Sequence, residues 1–218
     1  MEKDDGLVNV ISSFRALADN SEVAANQLRA KESWNKCFQR IILFGAKEPK
    51  LESFQTEFID AGDFPKIQML VLAASLCDSL TCIINADIVV APYLVPILQQ
   101  ITNKGGQCAT SRRYEFDSRM PDYDKAKVVD NGIDFFCAYP DLWKKVLSEI
   151  PKTYRIGHCQ WDSWLLGFFN TVASNSFYDI TKARVIFHPL HKARKRVHEI
   201  PNINDKFTVN SMFPRLKF

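Results

Sequence analysis

The chain has 218 residues, of which 46% are hydrophobic and 24% are charged. That composition is ordinary for a globular protein, and the length is sufficient to bury a core without disulfides or a structural metal. The formal net charge of +3 is too small to indicate a nucleic-acid partner. The six cysteines show no C-x-x-C spacing and lie mostly in apolar runs, so we predict reduced core thiols of an intracellular protein.

The first five residues are acidic and polar, unlike a signal or transit peptide. The longest apolar stretch, residues 69–77, is too short to span a bilayer. We therefore expect no transmembrane segment and a cytoplasmic location, either as a separate protein or as a module of a larger assembly.

Strands and helices alternate through the first 105 residues. We predict strands at residues 7–13, 40–44, 57–61 and 80–84, and helices at 21–36, 66–77 and 92–104. The run 80–84 lacks polar alternation after its first residues, which is typical of a buried parallel strand. The pattern predicts an α/β fold with a mostly parallel central sheet and helices on both faces.

The second half of the chain is less regular. We predict strands at residues 107–114, 132–138 and 184–187, and helices at 141–149 and 161–172. Residues 117–131 are polar, contain Pro121 and are predicted to be a loop. The tail after Pro189 is basic and irregular.

Asn85-Ala86-Asp87 is the most distinctive polar group, because it directly follows a predicted central strand. Ligands of such sheets bind beyond the carboxyl ends of the strands. Asp87 and Asn85 offer the hard oxygen ligands that Mg²⁺ and Mn²⁺ prefer, and such a metal would neutralise a leaving diphosphate. The structural alternative is that Asp87 caps the helix near Pro92 or closes a turn.

Asp162 lies between two tryptophans, Trp161 and Trp164, at the start of a predicted helix. One interpretation is a general base with a tuned pKa that deprotonates an acceptor hydroxyl, with the tryptophan rings stacking on a sugar. The alternative is a first-turn acid favoured by the helix dipole, with the tryptophans in the core.

Basic and acidic residues near the other strand ends are further candidates. His188 and His191 follow a strand and are either metal or phosphate ligands or structural donors. Arg112 and Arg113 suit bidentate phosphate contacts, or they form ion pairs with Glu115 or Asp117. Asp134 either binds a ligand hydroxyl or is satisfied by a buried partner. Two more features are His158 and the basic cluster at 192–196.

Several enzyme classes lack their motifs in this chain. There is no G-x-G-x-x-G, no Walker pattern and no G-x-S-x-G, which argues against a dinucleotide enzyme, a P-loop kinase and an α/β-hydrolase.

The order of the motifs resembles a family of short GT-A glycosyltransferases found in bacteria and as modules of large-DNA-virus proteins. The resemblance covers about residues 7–191. It is carried by Ser-Ser-Phe after the first strand, Asn-Ala-Asp, Thr-Ser-Arg-Arg-Tyr-Glu-Phe-Asp, Gly-Ile-Asp-Phe-Phe, Trp-Asp-Ser-Trp-Leu-Leu and Phe-His-Pro-Leu-His.

The resemblance implies a GT-A fold in one domain, with a nucleotide-binding half at 1–105 and an acceptor-binding half at 106–218. Asn85 departs from the D-x-D motif by replacing its first acid. The implied catalytic base is Asp162, and the implied Mn²⁺ or Mg²⁺ ligands are Asp87 and His188 or His191. The implied donor-binding residues are Ser12, Ser13, Arg15, Asp60, Asp63, Asn85, Ala86, Asp87, Arg112, Arg113 and Asp134, and the acceptor residues are Trp161 and Trp164.

The expected function is therefore metal-assisted transfer of a sugar, with inversion, from a nucleotide-sugar to a glycan acceptor. A UDP-sugar is the commonest donor for such a site. One alternative is a sugar-phosphate nucleotidyltransferase, although Ser-Ser-Phe-Arg-Ala stands where its Gly-rich basic loop is expected. The other is a non-catalytic module that binds a glycan, a nucleotide or a partner protein.

Overall fold

The computed structural model describes residues 7–15, 17, 21–45, 48–62, 65–156, 161–190 and 216–217. The strands are β1 (Val8–Ser13), β2 (Arg40–Phe44), β3 (Thr56–Ile59), β4 (Leu80–Ile84), β5 (Val89–Val90), β6 (Cys108–Asp117), β7 (Lys127–Ala138), β8 (Phe177–Asp179), β9 (Ile186–Leu190) and β10 (Leu216–Lys217). The helices are α1 (Glu22–Asn35), α2 (Ile67–Leu76), α3 (Leu94–Asn103), α4 (Pro140–Glu149) and α5 (Trp161–Val172). Short 3₁₀ turns lie at Pro49–Leu51 and Thr181–Ala183.

All ten of these strands belong to one sheet, with the order β10-β8-β6-β7-β4-β1-β2-β3, and β9 pairs with β6 and β5. The four strands β3, β2, β1 and β4 are parallel neighbours. The chain then reverses, because β7 is antiparallel to β4 and β6 is antiparallel to β7. Among the described strands six of nine pairings are parallel, so the fold is mixed α/β with a mostly parallel sheet.

Helices cover both faces of the sheet, as predicted. Alternate residues of one strand enter different cores: in β2, Ile41 and Leu43 pack on the side of α1 and α3, whereas Ile42 and Phe44 pack on the side of α2, α4 and α5. This follows from the period of two in a strand. Both faces of the strand are therefore apolar, as expected for a buried parallel strand.

Helix α1 begins where the sequence predicts it. The Ser21 hydroxyl accepts a hydrogen bond from the Ala24 amide at 3.0 Å, and Glu22 places a negative charge in the first turn, so both features of a favourable helix start are present. On its inner side Trp34 is fully buried, and its indole N–H donates to the Ile88 carbonyl at 2.8 Å. This bond fixes α1 against the turn that directly precedes β5.

The structure corrects the predicted loop at 117–131. Strand β7 begins at Lys127 and pairs with β6 as far out as Glu115, so the polar segment supplies half of a long antiparallel ribbon. The short strands β5, β8 and β10 were also not predicted, because they contain two or three residues each and form only against partners distant in sequence.

The cysteines agree with the prediction as far as they are described. Cys37, Cys77, Cys82, Cys108 and Cys137 are free thiols, and all but Cys37 are buried. In the described part of the chain, no helix has the length and apolar character needed to cross a membrane.

Candidate functional site

The site forms where the topology of the sheet changes direction. β1 is flanked by β2 on one side and by β4 on the other, so the connections that leave β1 and β4 diverge. In open α/β sheets this divergence leaves a crevice beyond the carboxyl ends of the strands. Ser13 ends β1, and Asn85 directly follows β4, so both border this crevice.

Asp134 is the centre of a polar cluster beside the crevice. Its side chain is buried at 6% exposure and accepts hydrogen bonds from the Asn85 amide and from the Arg113 guanidinium. The Asn85 backbone N–H also donates to the Asp134 carbonyl, at 3.2 Å. The buried carboxylate is thus satisfied by protein partners, which was one of the two predicted alternatives.

The asparagine at position 85 has a role in the structure that an aspartate could not fill. Its side-chain N–H₂ is the donor to Asp134, and an aspartate has no donor to offer when ionised. A carboxylate at this position would face Asp134 as a second negative charge, which raises the free energy of the folded state.

Glu115 is part of the cluster, although the sequence predicted it only as an ion-pair partner. Its Oε1 accepts from the Arg113 Nη2 at 2.9 Å and lies 3.8 Å from the His188 Nδ1. Burial disfavours the charged form of Arg113, but Asp134 and Glu115 outweigh that effect and raise its pKa. A Cβ on Gly132 would stand 2.8 Å from the Arg113 side chain, so the glycine leaves room for this arginine.

Asp87 and His188 meet although they lie about a hundred residues apart. Asp87 is in the turn between β4 and β5, and β5 pairs antiparallel with β9, with Val89 opposite Phe187. This pairing brings the His188 Nε2 to 3.3 Å from the Asp87 Oδ2. The predicted convergence of the Asn-Ala-Asp turn with the late histidine is therefore present in the structure.

Asp162 faces the same cluster from the first turn of α5. Its Oδ1 accepts a hydrogen bond from the Ser163 N–H at 2.8 Å. The pKa of Asp162 is raised to about 6, mainly by burial and also by the negative charge of Asp134. The hydrogen bond from the Ser163 N–H and the positive charge of Arg113 act in the opposite direction. A carboxyl with this pKa is ionised at neutral pH and is still a better proton acceptor than an ordinary aspartate.

Other predicted donor-site residues have structural contacts. The Ser12 hydroxyl donates to the Ile84 carbonyl at 2.7 Å and is fully buried, so it joins β1 to β4 rather than facing the crevice. The Arg112 Nε donates to the Asp130 carbonyl at 3.3 Å. Asp60 is exposed after the edge strand β3, where its Oδ1 accepts from the Gly62 N–H at 3.4 Å.

Arg15 lies in the connection that leaves β1. The buried Gln27 side chain binds both backbone groups of Arg15, accepting from its N–H at 3.1 Å and donating to its carbonyl at 3.4 Å. Helix α1 therefore holds the start of this connection in place. Some other predicted features lie outside the described residues: Asp63, His158, His191 and the basic cluster at 192–196.

The two tryptophans beside Asp162 belong to the core. Trp164 is fully buried and stacks on Phe168 with ring centroids 5.1 Å apart. Trp161 is 3% exposed and makes an edge contact with Phe136. The predicted stacking on an acceptor sugar is therefore replaced by packing, because the long aromatic run of α5 fills the interior of the sheet face.

The metal prediction has two ligand candidates in contact with each other. The Asp87 carboxylate and the His188 imidazole are both ligand types for a divalent cation, and their separation of 3.3 Å is also that of a direct contact between the two side chains. Within the described ranges no three His, Cys, Asp or Glu side chains are grouped to hold an ion.

Comparisons with known proteins give no family for the chain. No family model matches it, and no curated protein matches it. Two solved structures share 16% and 11% identity: the bifunctional IspDF of Campylobacter jejuni, and a 4-diphosphocytidyl-2C-methyl-D-erythritol synthase of Anaerococcus prevotii. The alignment with the Campylobacter jejuni structure covers 68% of this chain and 44% of that chain, with a TM-score of 0.42. The alignment with the Anaerococcus prevotii structure covers 77% of this chain and 84% of that chain, with a TM-score of 0.44.

These findings correct the resemblance described above. Neither of these two structures is named as a glycosyltransferase, and no family model matches the chain. The expected membership of the short GT-A glycosyltransferase family is therefore wrong. The chain spans less than half the length of the Campylobacter jejuni protein.

Proposed function

We propose that the chain is a transferase that acts on a nucleotide-linked substrate, with the cluster of Asp87, Glu115, Asp134 and Asp162 around Arg113 and His188 as its reaction site. The observation that carries the proposal is the convergence of the turn after β4, the β6–β7 ribbon, β9 and the start of α5 at one end of the sheet. That end borders the crevice in which α/β sheets of this topology bind nucleotides.

Within this class, the cluster suits transfer to a hydroxyl acceptor. Four carboxylates surround one guanidinium and one imidazole, so a second highly charged anionic substrate would be repelled. A hydroxyl is neutral and must lose a proton as it reacts, and Asp162 is placed to accept that proton. The acceptor oxygen then bonds to the transferred carbon, and the bond to the nucleoside diphosphate breaks with its electron pair leaving on the diphosphate.

A divalent cation completes this proposal. Mg²⁺ or Mn²⁺ held by Asp87 and His188 would bind diphosphate oxygens and offset the charge of the leaving group. A nucleotide-sugar such as a UDP-sugar supplies both the diphosphate and a sugar as the transferred group. Arg113 is fixed between Asp134 and Glu115, so it orients the carboxylates beside the reacting groups.

A second candidate is nucleotidyl transfer to a sugar phosphate. The names of the two structures described above fit this activity. Arg112, beside the cluster, is of the residue type that makes bidentate hydrogen bonds to phosphates. In this reaction a phosphate oxygen of the acceptor attacks the α-phosphate of a nucleoside triphosphate, and pyrophosphate leaves.

Product analysis separates the two candidates. The protein is incubated with Mn²⁺ and either a panel of nucleotide-sugars or a panel of nucleoside triphosphates with sugar phosphates. Release of a nucleoside diphosphate supports transfer to a hydroxyl or to water, and release of pyrophosphate supports nucleotidyl transfer. Calorimetry that detects no binding of any nucleotide, with or without metal, would show that the transferase proposal is wrong.

Two matched variants connect the activity to the cluster. Asp162→Asn removes the proton acceptor and keeps the shape, whereas Asp141→Asn makes the same change in the first turn of α4, where the carboxylate is exposed and pairs with Lys144. Transfer to a hydroxyl should be lost only in the first variant, and nucleotide binding should survive in both. Full activity of Asp162→Asn would remove Asp162 from the mechanism.

A further inference from the structure

A lysine that the proposed reaction does not use is buried at the other end of the sheet. Lys31 of α1 is 3% exposed. Its Nζ donates to the Asn35 Oδ1 at 2.5 Å and to the Ser53 Oγ at 3.2 Å. Both acceptors are neutral, so among the residues that the structure describes the ammonium has hydrogen-bond partners but no counter-charge in contact with it.

This arrangement is energetically unusual. A buried cation is normally compensated by an anion, because desolvation disfavours the charged form. Burial lowers the pKa of Lys31 to about 8. An ion pair on β2 and β3 joins Arg40 to Glu57. Glu57 lies on the opposite face of β3 from Thr56 and Phe58, since side chains alternate along a strand.

A cavity adjoins the lysine. It has a volume of about 550 Å³ and is lined by Glu52, Ser53, Thr56 and Phe58. The Ser53 hydroxyl contacts the Lys31 ammonium and also shares a 2.7 Å hydrogen bond with the Thr56 hydroxyl. Two hydroxyls that line the cavity are therefore joined to the buried charge by a short chain of hydrogen bonds.

We propose that this cavity, at the start of β3, is a second ligand site that takes a small molecule bearing a carboxylate or phosphate group. The Ser53 hydroxyl accepts from Lys31 and donates to the Thr56 hydroxyl, which in turn donates to the anion. Lys31 thus supplies the positive charge behind the cavity, and Phe58 offers an apolar wall. The Glu52 carboxylate at the cavity is exposed, so water and salt screen its charge. Thr56 is the first residue of β3, whereas the reaction site lies beyond the last residues of the parallel strands, so the two sites are at opposite ends of the sheet.

The test uses inorganic phosphate and acetate as probes in an anion-poor buffer. Backbone amide NMR shifts locate binding, and calorimetry measures its strength. We expect saturable shifts at Ser53 and Thr56 with at least one probe, and the probe that binds more tightly identifies the preferred anion. Shifts confined to the residues around Asn85 and Asp87, or no shifts with either probe, would overturn the proposal.

Variants then test the role of the lysine. Lys31→Met keeps the length of the side chain and removes the charge, and the loss of the positive charge behind the hydroxyls should weaken binding about tenfold. Lys36→Met is the control, since Lys36 is exposed one turn later in the same segment, and it should bind as the unmodified chain does. Thr56→Val provides a second test if Lys31→Met does not fold. Unchanged binding by Lys31→Met would refute the site. If Lys31→Met does not fold, unchanged binding by Thr56→Val would refute it instead.

Discussion

Replacing Asp162 with asparagine is expected to stabilise the protein at neutral pH while abolishing transfer to a hydroxyl. Burial raises the pKa of Asp162 from the ordinary 3.8 to about 6, so the ionised carboxylate is less stable in the folded chain than in the unfolded one. Below pH 4 the group is neutral in both states and costs nothing. As pH rises to 6 the unfolded state ionises first, and stability is lost; above pH 6 the loss is constant.

The magnitude follows from the size of the shift. A rise of about two pKa units corresponds to about 3 kcal/mol, and the partial exposure of Asp162 reduces this to about 2 kcal/mol. Asparagine keeps an oxygen that accepts from the Ser163 N–H, so that hydrogen bond is retained. For a chain of this length, 2 kcal/mol raises the Tm by about 4–8 °C.

Thermal unfolding followed by circular dichroism at pH 4 and pH 7 measures the effect. The Asp162→Asn variant should melt higher than the unmodified chain at pH 7, and its gain at pH 4, close to the ordinary pKa of 3.8, should be much smaller. Asp141→Asn, the exposed first-turn control, should show no such gain. Equal melting of Asp162→Asn and the unmodified chain at pH 7, or an equal gain in the control, would refute a strained carboxylate at Asp162. In the unmodified chain, transfer should decline below pH 6 as Asp162 is protonated.

Three further substitutions test the cluster and its surroundings. Arg113→Met leaves the buried Asp134 without its cation and should cost about 3 kcal/mol in denaturant unfolding; adding Asp134→Asn should restore part of the loss, and simple additivity of the two would contradict the pairing. Asn85→Asp replaces a donor with a second carboxylate and should cost about 1–3 kcal/mol, mainly at neutral pH, so a pH-independent change would contradict this cause. Gly45→Ala brings a Cβ to 2.5 Å from the Phe14 carbonyl oxygen, and it should lower the Tm by several degrees; an unchanged Tm would contradict this clash.

The parallel half of the fold could be predicted because its signals are local. The limits of β2 and β4 were predicted to the residue, since each is an apolar run bounded by polar residues or glycine. The limits of α5 were also predicted correctly. The polar Lys127 end of β7 carries no such signal, because its pairing with β6 is a property of the ribbon and not of its composition.

The candidate site was predictable in part. Polar residues at strand ends are visible in a sequence, which is why Asp87, Asp134 and Asp162 were singled out. Their partners were not visible. Glu115 was considered only as a surface partner, and nothing in the order of residues shows that Arg113 lies between it and Asp134. The role of Trp164 was left open for the same reason, because an aromatic residue on a helix serves a core or a ligand equally well.

The sequence by itself determined the class of the fold, the strand ends at which reactive groups gather and the aspartates that stand there, because periodicity and strand-end position are encoded in neighbouring residues. Only the tertiary structure decided that Asn85 donates to Asp134, that Arg113 lies between Asp134 and Glu115 and that Lys31 is buried beside a cavity. Each of these contacts joins segments that only folding brings together, as when the two-residue strand β5 pairs with β9, and the electrostatic energy of such contacts depends on distances and burial that no local pattern contains.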